Sequence, residues 1–174
     1  TIVRGGGGAN DWQAVVSGSA TDTFVAPVAD KDAALIFYTS GTTGVPKGVL
    51  LNHGAEIFAA QMVAKHLGIT PSDRSIVMGS LAFIYPLIIN ALASISGGAS
   101  VVLQARFHPQ LVADAVRKHR VTIMMGVPTM YVMLMNYADA SNDCDMSSIR
   151  MAFSGGASLP DADRKSTRLN SSHI

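Results

Sequence analysis

Short apolar runs alternate with stretches whose apolar residues recur every three or four positions, a pattern that predicts strands joined by helices. Ala34 to Tyr38 and Gly48 to Leu51 read as two short strands flanking a loop rich in glycine and hydroxyl residues. Gly54 to Leu67 reads as a helix, with Ile57, Phe58, Met62, Val63 and Leu67 on helical spacing, and Pro71-Ser72-Asp73 as a turn. His108 to His119 reads as a second helix with Leu111, Val112, Ala115 and Val116 facing inward. Val121 to Met125 suits a buried strand, Thr129 to Tyr137 a helix started after Pro128, and Ile149 to Phe153 a strand ending at a glycine pair. Helices between strands require crossover connections, so the expected fold class is α/β, with a partly parallel sheet and crossover helices.

No charged residue occurs between Arg74 and Arg106, and Ile76 to Ile95 approaches membrane-spanning length. Ser80, Pro86, Asn90 and Ser94 interrupt the run and Gly97-Gly98 ends it, which argues for a buried strand–loop–helix–strand unit and against a transmembrane segment. The expected pieces are a strand at Ser75 to Met78, a loop at Ser80 to Tyr85, a helix at Pro86 to Ser96 and a strand at Ser100 to Leu103.

The candidate chemistry lies between the first two strands, in Tyr38-Thr39-Ser40-Gly41-Thr42-Thr43-Gly44-Val45-Pro46-Lys47-Gly48. Glycines let backbone N–H groups approach an anion closely, hydroxyls add donors, and Lys47 adds a positive charge without demanding rigid geometry. A Walker loop would place its lysine directly after the last glycine, whereas Val45 and Pro46 intervene here, and no G-x-G-x-x-G pattern is present. A solvated turn has a similar composition, but a turn alone does not call for so many hydroxyls with a fixed lysine.

This stretch resembles the signature loop of the adenylate-forming superfamily, which comprises acyl- and aryl-CoA ligases, luciferases and peptide-synthetase adenylation domains. The resemblance continues through Val49 to His53, Val121-Thr122, Val127 to Tyr131, and Ser154-Gly155-Gly156-Ala157-Ser158-Leu159-Pro160, and covers about Asp30 to Pro160. It implies that the chain is an incomplete piece of the large N-terminal domain, most like that of an acyl-CoA ligase. The implied reaction joins a small-molecule carboxylic acid, fatty or aryl, to the α-phosphate of ATP with Mg²⁺, then passes the acyl group to coenzyme A. The alternatives are a carrier-protein-loading adenylation domain and a non-catalytic binding module of the same fold. By the resemblance, Thr39, Ser40, Gly41, Thr42, Thr43, Gly44 and Lys47 grip the ATP phosphates, and Ser154, Gly155, Gly156 and Ala157 shape the acid pocket. Related ligases carry a proline-leucine-aromatic-histidine run after the third strand; here Ser80-Leu81-Ala82-Phe83-Ile84-Tyr85-Pro86 stands there, making Phe83 the candidate pocket aromatic, with a structural role equally open. The family's magnesium-binding glutamate, ribose-binding aspartate and catalytic lysine of the C-terminal domain have no match, so the chain alone is expected to be inactive, its catalytic residues lying outside it.

The remaining features narrow the picture. Residues 1–29, with Gly5 to Gly8 as a flexible loop, read as an upstream segment and 30–162 as the AMP-binding region. Residues 163–174 lack apolar periodicity, and their codons are compatible with a sequencing adapter, so a non-native tail is expected, with a solvated basic tail as the alternative. That tail holds Arg164, Lys165 and Arg168 against Asp163; setting its +2 aside turns the formal charge of +1 into −1. Nothing then favours nucleic acid, and peripheral membrane contact stays open. Cys144 is the only cysteine, which excludes an internal disulfide framework and fits a reducing cytoplasm. The histidines lack ligand-like spacing, so no metal cluster is expected; the methionines from Met124 to Met135 suit core filling better than a lipid tunnel.

Overall fold

The computed structural model describes residues 26–41, 44–141 and 144–157. The glycine run, the tail expected to be non-native, and loop residues Thr42 and Thr43 lie outside the described residues. Two strands, β1 (Ala33–Thr39) and β2 (Lys47–Asn52), form an antiparallel hairpin in which Thr39 pairs with Lys47. Helix α1 (His53–His66) follows at once, its N-terminus capped by the Asn52 side chain, which accepts from the Ala55 N–H at 2.8 Å.

The main sheet is four-stranded and parallel, built from β3 (Arg74–Val77), β4 (Ser100–Leu103), β5 (Ile123–Gly126) and β6 (Met151–Ser154), in the order β4-β3-β5-β6. The connections are helical: α2, π-helical over Tyr85–Leu92 and α-helical over Ala93–Ser96; α3 (Pro109–His119); and α4 (Pro128–Ala140). The expected α/β class with crossover helices is what forms, with the antiparallel hairpin set apart as its own sheet.

Alternating side chains divide between the two sheet faces, as the pleat requires. Ile76 and Met124 pack with Val112, Ala115, Val116, Tyr131 and Leu134 of α3 and α4. Ile123 and Met125 pack on the other face with Ala64 and Ile69, from α1 and just beyond it, and with Ala93 and Ala99. All four residues of β5 are buried, which explains why its sequence reads as one unbroken apolar run.

Two helix faces differ from their sequence reading. On α1 the inward residues are Glu56, Ala60 and Ala64, while Ile57, Phe58 and Met62 are exposed. Small side chains are what let α1 lie close against α2, so size rather than hydropathy sets its facing. Leu111, expected to face inward, is 40% exposed, because Val112, Ala115 and Val116 already fill the interface with β3 and β5. Of the methionines, Met124 and Met125 are core residues as expected, whereas Met133 is exposed.

The opposite end of the sheet is tied by one polar cluster. Asp73, whose carboxylate is 3% exposed, accepts from Arg150 Nε and a terminal guanidinium nitrogen, both at 2.6 Å, from the Thr122 hydroxyl at 2.7 Å, and from Thr70. Arg150 also donates to the Gly68 carbonyl at 2.9 Å. These bonds join the starts of β3, β5 and β6 to the end of α1. The Arg150 guanidinium, helped by the threonines and opposed by burial, holds the Asp73 carboxyl well below the usual carboxylate range.

Candidate functional site

In an open parallel sheet, ligands bind beyond the carboxyl ends of the strands where the strand order reverses. Here the chain goes from β3 outward to β4 and returns past β3 to β5, so the reversal lies between β3 and β5. Gly79 follows β3, Gly126 ends β5, and Gly155-Gly156 follow β6 at that same end.

Beside β6, on the α1–α2 face, lies a cleft of about 570 Å³ lined by Met62, Val63, His66 and Leu67 of α1 and its end, Tyr85 and Ile89 of α2, and Phe153, Gly155 and Gly156. The Arg150–Gly68 bond places the end of α1 at the start of β6, while the glycine pair follows the end of β6. Of β6 itself only Phe153 lines the cleft, which opens onto the glycine pair at the carboxyl end. Its walls are almost wholly apolar.

Two buried hydroxyls lie near this end of the sheet without opening into the cleft. Tyr85 OH and Ser154 Oγ are both buried and have no hydrogen-bond partner among the described residues. Burial pushes the Tyr85 phenol up to about 12, so it stays protonated and able to donate at neutral pH. The Tyr85 ring lies against Gly155, where an added Cβ would come within 3.0 Å of the ring edge. Tyr131 fixes the strand beneath: its hydroxyl lies 2.8 Å from the carbonyls of Met124 and of Phe153, bridging β5 and β6, and burial raises its own ionisation further.

The candidate residues named from sequence therefore divide. Ser154, Gly155 and Gly156 stand together at the end of β6, the two glycines on the cleft wall, with Ala157 exposed just beyond. Phe83 is 68% exposed, in a turn closed by its N–H to the Ser80 carbonyl, and does not line the cleft. Tyr85, two residues on, does. The signal for it was Gly79: a Cβ there would meet Pro86 at 2.8 Å, so Gly79 lets the Tyr85-Pro86 corner close onto the sheet.

The hairpin holds the other group. Thr39 and Ser40 leave β1, Gly41 and Gly44 take φ of +62° and +80°, and the Gly44 N–H turns back to the Gly41 carbonyl at 3.3 Å. Gly41 has no substitute, since a Cβ would sit 2.1 Å from the Val45 carbonyl oxygen. Lys47 is exposed at the start of β2, opposite Thr39. Exposed hydroxyls, glycines and a lysine around one tight turn form a donor set suited to a polyphosphate.

A parallel doubly wound sheet with an anion-ready hairpin and an apolar cleft at its carboxyl end defines a class of nucleotide- and small-molecule-binding α/β domains. A family model described as AMP-binding enzyme matches residues 5–169, and the chain belongs to that family, with the adenylate-forming CoA ligases as its relatives. It is 35% identical over 144 residues to a feruloyl-CoA synthase from Amycolatopsis sp., covering 83% of this chain and 29% of the relative. It is 36% identical over 168 residues to 4-coumarate--CoA ligase 5 of Oryza sativa subsp. japonica, covering 91% and 31%. The ATP-bound MatB structure from Rhodopseudomonas palustris superposes with a TM-score of 0.77 at 25% identity, over 88% of this chain and 30% of that one. The chain thus spans under a third of the length of these relatives. No helix among the described residues is long and apolar enough to cross a membrane.

Proposed function

We propose that this chain is the ATP- and acid-binding part of an AMP-forming acid–CoA ligase acting on a fatty or aryl carboxylic acid. The observation that carries the reading is the apolar cleft beside β6, walled by α1, Tyr85, Phe153 and the Gly155-Gly156 pair. Apolar walls suit the body of an aryl or aliphatic acid. A cleft of about 570 Å³ has room for an aromatic or an aliphatic acid. The relatives named for feruloyl and coumarate substrates favour the aryl class.

In the first half-reaction the acid's carboxylate oxygen attacks the α-phosphorus of ATP, and the bond to the bridging oxygen of pyrophosphate breaks. Charge develops on the departing pyrophosphate, where Thr39, Ser40, Thr42, Thr43, the backbone of Gly41 and Gly44, and Lys47 supply donors and positive charge. In the second, the thiolate of coenzyme A attacks the acyl carbon and AMP leaves. Mg²⁺ would neutralise phosphate charge; none of this chain's residues is assigned to hold it.

ATP–pyrophosphate exchange in the full-length protein, driven by a panel of aryl and fatty acids, tests the reading. Exchange with aryl acids and release of AMP on adding coenzyme A are expected. Exchange without transfer to coenzyme A favours a carrier-protein acceptor, and no exchange with any acid overturns the assignment. The chain by itself is expected not to exchange.

A further inference from the structure

Asn90 is 1% exposed in the middle of α2, and its side-chain hydrogen bonds all go to the sheet. Its amide nitrogen donates to the Ile76 carbonyl of β3 at 2.9 Å and reaches the Met125 carbonyl of β5 at 3.4 Å, while its Oδ1 accepts from the Ser75 hydroxyl at 2.7 Å. It thus pins α2 across the two strands at which the strand order reverses.

The helical register links this anchor to the cleft. Tyr85–Leu92 is π-helical, and at its end the Ala93 N–H is shared between the Asn90 carbonyl three residues back and the Ile88 carbonyl five back. In such a segment, residues five apart stand on one face. In an α-helix at 3.6 residues per turn they point about 140° apart. Tyr85 and Asn90 are five apart, and only the wider register lets one hold the sheet while the other lies on Gly155. Pro86 at the second position supplies no N–H of its own, and Gly79 leaves room for its ring.

We propose that Asn90 is a positioning residue for the acid cleft: by anchoring the π-helical turn to β3 and β5 it fixes Tyr85 as a wall over the glycine pair. This inference rests on the reading of the cleft as the acid site. Without the anchor, α2 has no reason to keep the rarer register, and relaxation to α-helix swings Tyr85 away from Gly155. Asn90 touches neither acid nor ATP and acts through Tyr85.

The test uses the full-length protein with Asn90→Leu, Ser75→Ala, Tyr85→Ala and the Asn90→Leu/Tyr85→Ala double variant. Asn90→Leu is expected to raise the KM for the acid roughly 10-fold or more, as misplacement of a positioning group does, with the KM for ATP unchanged. Ser75→Ala, which removes one bond and leaves the backbone intact, is expected to move the acid KM in the same direction by less. On the Tyr85→Ala background, Asn90→Leu is expected to add nothing. Equal loss for acid and ATP, or additive effects with Tyr85→Ala, overturns the proposal. If Asn90→Leu does not fold, Ser75→Ala decides alone, and an unchanged acid KM in that variant counts against it. A crystal structure of Asn90→Leu or Ser75→Ala gives a readout free of activity. A Tyr85 ring still seated on Gly155 in Asn90→Leu sinks the positioning role even if the protein proves to be a ligase, whereas a displaced ring in a protein that activates no acid sinks only the functional reading.

Discussion

Single residues set the two halves of the site in different ways. Under the proposed function Lys47 contributes charge from an exposed position, so its removal should leave the hairpin standing while weakening phosphate binding. A charge-assisted hydrogen bond is worth roughly 1.5–3 kcal/mol, so Lys47→Ala is expected to slow pyrophosphate exchange roughly 10- to 100-fold with the melting temperature unchanged. Equal exchange in the variant and the parent protein would remove Lys47 from the phosphate site. Gly155 acts through absence, since any Cβ crowds Tyr85 at 3.0 Å. Gly155→Ala should therefore raise the KM for the acid and not that for ATP, measured by steady-state kinetics. The hairpin itself was legible in the sequence, because glycine and hydroxyl residues interrupt two apolar runs there. Tyr85 was not: neighbouring aromatics in one loop look alike until the backbone turns, and Phe83 drew the assignment by its place in the run.

At the scale of elements, the strands were legible because burial on both faces leaves no polar position in β3 or β5 beyond the exposed first residue Arg74 and Ser75, whose hydroxyl is satisfied by Asn90. Helix facing was less so. The Ala60–Ala64 seam of α1 is weakly hydrophobic, and its neighbours Ile57 and Phe58 outweigh it in any sequence pattern while facing outward. The π register of α2 has no periodic signature, because it depends on contacts that Asn90 makes with strands far along the chain. Tyr131 is the element-scale joint between β5 and β6. Tyr131→Phe removes the single hydroxyl shared by the Met124 and Phe153 carbonyls and should cost about 1–3 kcal/mol in urea unfolding. No loss would mean that the strands are held by their ladder alone.

For the molecule as a whole, the two ends of the sheet have separate duties. The carboxyl end carries the glycines and the cleft, and the amino end carries Asp73 and Arg150, which lock β3, β5 and β6 to α1. Because the Asp73 carboxyl is held below its ordinary value, its contribution to stability is full above about pH 4, the unfolded value, and fades as pH falls through the folded one. Asp73→Asn should lower stability by about 2 kcal/mol at neutral pH, since Arg150 is 43% exposed and partly solvated without its partner. The variant should also show a flatter loss of stability in acid, and parallel acid unfolding curves would contradict the assignment. Nothing in the sequence paired Asp73 with Arg150, which stand 77 residues apart and meet only through the parallel order of the strands.

The most direct test of the account is a crystal structure of the full-length protein with a non-hydrolysable acyl-adenylate analogue and, separately, with ATP. The account predicts the acyl group along β6 between α1 and Tyr85, and the triphosphate against the hairpin from Thr39 to Lys47. An acyl group bound away from Tyr85 and Gly155, or phosphates lodged away from the hairpin, would contradict it.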